Sequence, residues 1–177
     1  MKTFLKISLV AAVALLAGAF WLLSQISIET WLVSTTSAET RPIAKAFALV
    51  YLKNLGTLRN FNRSQNLPPL QFVLGGCVDR ISSDEPCRQT FEWLLNKGED
   101  INATDSTKLG FTPLHTAVVA CDSAAVEYLL LKGANVNTPA AGEKFRGLTP
   151  LNLLAQLKDC SSTQQIREVL KSKGGHE

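Results

Sequence analysis

The residues able to do chemistry are few: two histidines, His115 and His176, and four cysteines, Cys77, Cys87, Cys121 and Cys160. A thiolate–imidazole pair of Cys121 with His115 can be drawn, but a disulfide through Cys121 would remove its nucleophile. The cysteines lack the C-x-x-C spacing of a zinc site. No phosphate-cradling glycine loop, H-E-x-x-H helix, G-x-S-x-G elbow or dinucleotide-binding glycine pattern is present. These absences leave no recognisable catalytic motif, although they do not by themselves disprove an enzyme. Two clusters have the residue types that anchor interfaces: Asp105, Lys108 and Leu109, and the aromatic-centred run Glu143-Lys144-Phe145-Arg146.

The element most exposed by composition lies at the N-terminus. Ile7–Leu23 is a run of 17 residues in which Ser8 is the only polar side chain, and no charge occurs between Lys6 and Glu29. As a helix it spans about 25 Å, near the lower bound for crossing a bilayer. Lys2 and Lys6 precede it, as in a signal anchor that leaves the rest of the chain outside the cytoplasm. Residues 1–26 are therefore expected to be an uncleaved transmembrane anchor in an inner membrane, with the folded part in the periplasm. The alternative is a cleaved signal, for instance after Ala17-Gly18-Ala19, and a soluble periplasmic domain. With Lys2 and Lys6 set aside, 16 basic and 15 acidic residues remain, which gives no electrostatic reason to expect nucleic acid.

Behind the anchor, the Ser/Thr-rich residues 27–41 read as a tether. Residues 42–66 read as a cap helix and loop. Pro42 suits the first helical turn, and Ile43, Phe47, Val50, Tyr51, Leu55 and Leu58 fall at helical spacing along one face.

An internal repeat governs residues 67–177. Thr112-Pro113-Leu114-His115-Thr116-Ala117 matches T-P-L-H-x-A without a mismatch and continues into Val126–Leu131 and Gly133-Ala134-Asn135-Val136-Asn137. Gly147-Leu148-Thr149-Pro150-Leu151-Asn152 opens a later copy. Pro68-Pro69-Leu70-Gln71, followed by Phe91–Asn102, forms an earlier, degenerate one. These motifs resemble the ankyrin-repeat family from Leu67 to Gly175. The resemblance implies an all-α fold: a short solenoid of three helix-turn-helix repeats that binds another protein, does no chemistry and needs no cofactor. It also implies that His115 holds a turn by hydrogen bonding, and that the inter-repeat loops form fingers beside the concave face where partners dock. The two charged clusters lie in those loops.

The residue types fit such a repeat. Thr112 and Thr149 can cap the first helices, Pro113 and Pro150 fill their first turns, and Gly98, Gly133 and Gly174 can end the second helices. Extra residues separate the two helices of the first and third copies, and the cysteines lie in or beside those turns. An even cysteine set in an exported domain implies disulfides. The expected pairs are Cys77–Cys87, closing the first insertion, and Cys121–Cys160, stapling adjacent repeats. Cys77–Cys121 competes, because those two occupy equivalent places.

Two roles follow for a small, braced, non-catalytic binder in the envelope. One is an immunity or inhibitor protein that neutralises a toxin, an effector or an enzyme; the other is a scaffold for a partner enzyme. An enzyme of unrecognised type is the remaining alternative.

Overall fold

The computed structural model describes residues 18, 28–37, 39–55 and 67–176. Among them are eight helices and no strand: α1 Ile28–Thr36, α2 Pro42–Leu55, α3 Pro69–Gly75, α4 Glu85–Asn96, α5 Pro113–Val119, α6 Ser123–Leu131, α7 Pro150–Gln156 and α8 Thr163–Ser172. The order is a hairpin, α1–α2, followed by three helix pairs. Each pair packs internally, and neighbouring pairs meet through α3 on α5, α5 on α7 and α6 on α8. The hairpin closes the first end by packing α1 and α2 against α4.

Local chemistry starts and stops these helices where the sequence indicates. The Thr112 and Thr149 hydroxyls accept from the amides of His115 and Asn152 at 3.4 and 3.2 Å. Asp84 and Asp122 do the same for α4 and α6, accepting from Cys87 and Ala125. Helices α4, α6 and α8 each end on a glycine with positive φ: Gly98 at 88°, Gly133 at 94° and Gly174 at 84°. A side chain there would incur the left-handed penalty that glycine escapes.

A helix pair of this length cannot bury its apolar face alone, so stacking supplies the core. Leu70, Val73 and Leu74 of α3, Phe91 and Leu94 of α4, and Leu114, Ala117 and Val118 of α5 are fully buried or nearly so. They are continuous with Val126 and Leu129 of α6, Leu151 and Leu154 of α7, and Ile166 and Leu170 of α8. The far side of α8 carries Arg167, Lys171 and Lys173, the last two exposed, as suits a terminal repeat.

Two expectations for the N-terminal region need correction. The stretch read as a tether contains a helix, α1, because Trp31 and Leu32 bury themselves while the hydroxyls fold back on the helix. Ser34 Oγ donates to the Thr30 carbonyl at 2.8 Å, and Thr35 and Thr36 donate to Leu32 at 2.8 and 3.0 Å. A Ser/Thr-rich segment that bonds its own carbonyls does not need solvent. The second correction concerns α2. Among its described side chains the inward ones are Lys45, Ala48 and Leu52, whereas Ile43 is 86% exposed and Val50 is 59% exposed; the side chains of Phe47, Tyr51, Leu55 and Leu58 lie outside those described. Apolar residues occur nearly all round α2, so periodicity selects no unique face. The polar exception decides it: Lys45 Nζ reaches Asp84 at 3.1 Å.

Arg80, in the turn after α3, completes that joint. Its guanidinium donates to Asp84 at 3.0 Å and to the Thr36 and Gly76 carbonyls at 2.6 Å each. Burial alone would raise Asp84, but hydrogen bonds from Lys45 and the Cys87 amide, with the charges of Lys45 and Arg80, hold it below its usual value. Among the described residues no helix is long and apolar enough to cross a membrane. The expected anchor, Ile7–Leu23, lies outside the described residues apart from Gly18.

Candidate protein-binding site

The site is built from two loops, residues 99–112 and 135–149, each leading into a T-P helix. Equivalent residues tie each loop to the repeat before it. Gln71, two residues after Pro69, donates from Nε2 to the Phe111 carbonyl. His115, two residues after Pro113, donates from Nε2 to the Leu148 carbonyl at 3.0 Å. Phe111 and Leu148 themselves occupy equivalent places, two residues before the motif proline. The same carbonyls also accept from Asp105 and Ala140 amides at 2.9 and 2.8 Å, which folds each loop back on itself.

A second stitch repeats at the loop bases. Asn102 Oδ1 accepts from the Asn135 amide at 2.8 Å, and Asn137 Oδ1 accepts from the His176 amide at 3.3 Å. Each acceptor stands four residues after a helix-ending glycine and each donor two residues after the next one. Sequence reasoning singled out His115 and missed Gln71, Asn102 and Asn137. The signal for the asparagines was their identical offset from Gly98 and Gly133.

The His115 ring is fully buried and stacks on Phe111, with centroids 5.4 Å apart and planes 9° from parallel. Its Nδ1 accepts from the Thr112 amide at 3.3 Å and lies 2.8 Å from the Thr112 hydroxyl, so the neutral ring carries its proton on Nε2. Burial lowers its pKa, against the opposing pull of the Leu148 carbonyl and the Asp105 charge. This is a structural hydrogen-bonding role, and it leaves neither nitrogen of the His115 ring free for acid–base work.

The two loops also bond to each other. Ala141 donates its amide to the Gly110 carbonyl at 2.9 Å, and Lys144 donates to the Lys108 carbonyl at 3.1 Å. Glycine is required at this crossing. A Cβ on Gly110 would lie 1.9 Å from the Gly142 nitrogen, and one on Gly142 would lie 2.3 Å from the Leu109 carbonyl carbon. The loops form one braced unit.

Of the seven residues expected to contact a partner, five stand clear. Lys108, Leu109, Glu143, Lys144 and Arg146 are exposed. The strand-like crossing brings Lys108 beside Lys144 although 36 residues separate them in sequence. Lys108, Glu143, Lys144 and Arg146 make no ion pair with any described residue, so their charges face outward. Asp105 does not belong with them. It is buried, and its carboxylate accepts from the amides of Thr107, Gly110 and Phe111 at 2.8, 3.2 and 3.0 Å and from the Thr107 hydroxyl. A short acidic side chain followed by Ser-Thr-Lys folds its loop around itself, as Asx turns do. Phe145 is half-buried. It packs on Phe111 at 5.3 Å, within a small cluster that includes Ala140, Leu148 and Leu153, and Lys144 Nζ stands 5.1 Å from its ring centre. Its ring fastens the second loop more than it offers itself to a partner.

The cysteines lie at the other end of the helices. Cys77 is bonded to Cys87 and Cys121 to Cys160, with Cα separations of 5.9 and 5.5 Å, within the usual range for bridged cysteines. Cys121 is the only described non-glycine residue with positive φ, at 59°. No group of three or more His, Cys, Asp or Glu side chains among the described residues is placed to hold a metal ion.

A family described as ankyrin repeats (many copies) matches residues 80–130. That segment contains α4, the first loop, α5 and all of α6 but its last residue. The match supports the ankyrin-repeat family. No curated protein matches the chain. Ankyrin repeats are typically protein-interaction modules without chemistry of their own, and the two braced loops present a cluster of four charges with no ion pair to a described residue. The match and the all-helical repeat scaffold indicate a protein-binding module.

Proposed function

We propose that this chain is an envelope immunity or inhibitor protein. Its N-terminal apolar run holds it in the inner membrane, its repeats stand in the periplasm, and its loops occlude an incoming toxin or an enzyme. The observation that carries the reading is the rigid, paired loop unit whose outward charges make no ion pair with any described residue. A preorganised surface of this kind binds without a large ordering cost. The Lys2 and Lys6 flank, the uncharged run behind them and the fully paired cysteines support placement outside the cytoplasm.

The test is photocrosslinking from position 144 in intact cells, followed by identification of the captured protein and by deletion. A neutraliser captures a toxin or a hydrolytic enzyme, and its loss harms only cells that meet that protein. A captured resident enzyme whose activity falls on deletion would make the chain a scaffold and refute the proposal.

A further inference from the structure

The α1–α2 hairpin carries an unusual outer surface. On α2 the exposed described side chains are Pro42, Ile43, Ala44, Ala46 and Val50, all apolar, and Val33 on α1 is 46% exposed. The one described lysine of α2 points inward to Asp84. A surface helix of a soluble domain normally turns polar residues outward, and one that is apolar all round is normally covered.

We infer that the outward face of this hairpin lies on the lipid bilayer. The inference rests on the membrane-anchor reading proposed above. Two observations select lipid over a protein partner. First, the apolar run ends at Leu23 and α1 begins at Ile28. The five Cα–Cα steps between them reach at most about 18 Å, so an anchored chain holds its hairpin at the membrane surface. Second, protein interfaces carry about one hydrogen bond per 100–200 Å², and the exposed described side chains of α2 offer no donor or acceptor. An interface that asks only for apolar contact is what the acyl-chain boundary supplies. The result is a domain seated on the membrane by its first end, which sets the distance and angle of its loops.

The test uses the full chain reconstituted in vesicles of phosphatidylethanolamine and phosphatidylglycerol. All four native cysteines are bonded, so Ile43→Cys and Leu131→Cys each add one site for an environment-sensitive dye. Leu131 is 79% exposed at the end of α6 and serves as the solvent reference. The dye at 43 is expected to be quenched by spin-labelled lipid and to lose iodide quenching several-fold relative to 131. Equal iodide quenching at both sites, with the protein still bound through an alkaline wash, overturns the inference and leaves the anchor standing. Shielding of position 43 from both quenchers also overturns it, because protein rather than lipid then covers the face. Failure of the chain to float with the vesicles sinks the anchor reading and the inference together.

Discussion

Breaking the Cys121–Cys160 bridge in two different ways separates two terms that the structure combines. The bridge closes a segment with a sequence separation of 39, against 10 for Cys77–Cys87. In the chain-entropy model the longer loop stabilises the fold by about 4 kcal/mol and the shorter by about 3 kcal/mol. Cys121 also sits at φ 59°, where a side chain costs about 1 kcal/mol that glycine does not incur. Replacing Cys160 by Ala removes the bridge and leaves that strain in place. Replacing Cys121 by Gly removes the bridge and the strain together. The expected losses are therefore about 4 kcal/mol for Cys160→Ala and about 3 kcal/mol for Cys121→Gly. Cys160→Ala leaves Cys121 Sγ able to accept from the Ser162 amide 3.4 Å away, whereas Cys121→Gly removes it, but a thiol is a weak acceptor and the expected order stands. Urea unfolding followed through the buried Trp93 reads both values, as midpoints lowered by roughly 2 M and 1.5 M. A Cys121→Gly protein no more stable than Cys160→Ala would refute the strain argument. A loss under about 1 kcal/mol in both would refute the loop-closure argument.

The loops give further expectations. The pKa of His115 is lowered by folding, so its contribution is complete above the unfolded value near 6.5 and is lost as pH falls through the folded value. Stability measured from pH 8 to pH 5 should decline on the acid side, and His115→Gln should flatten that decline. Gly142→Ala forces the crossing loops apart and should cost about 2 kcal/mol through two lost inter-loop hydrogen bonds, read by faster amide exchange at Ala141 and Lys144. Lys144→Ala and Arg146→Ala should leave stability within about 0.5 kcal/mol of the parent, whereas Phe145→Ala should lower it by about 1–2 kcal/mol, measured by thermal melting. Any loss of binding in the first two is then a loss of contact.

What was legible in the sequence was local. The threonine caps, the prolines in first turns and the glycines that end helices act within one turn of chain, and each stands where its residue type implies. Both expected cysteine pairs are also the bonded ones. What was hidden depends on a partner distant in sequence. Asp105 in an open loop and Asp105 at the centre of an Asx turn read alike until Phe111 returns to it. Phe145 looked like an aromatic offered to a partner because its neighbours are charged, but Phe111 and Leu153 draw it inward. Lys45 broke the expected face of α2 because its counter-charge, Asp84, lies 39 residues away. Gln71 was passed over as a poor match to the motif histidine, although an amide can donate the same hydrogen bond.

The two ends of each inner helix divide the work of this domain. Helix α5 begins at the first loop and ends beside Cys121, and its seven residues span only about 10 Å. Both bridges therefore act at the turn end, away from the loop end, and no cysteine enters the loop unit. At the loop end the order comes instead from Gln71 and His115, from Asn102 and Asn137, and from the Gly110–Gly142 crossing. Covalent closure limits the unfolded chain, while the hydrogen-bonded stitches fix the geometry that a partner meets. If that division holds, reducing both disulfides under conditions where the repeats stay folded should leave affinity unchanged, because the loop contacts persist. Disrupting a stitch should weaken binding even where global stability is restored by other means, because the partner must then order the loops itself.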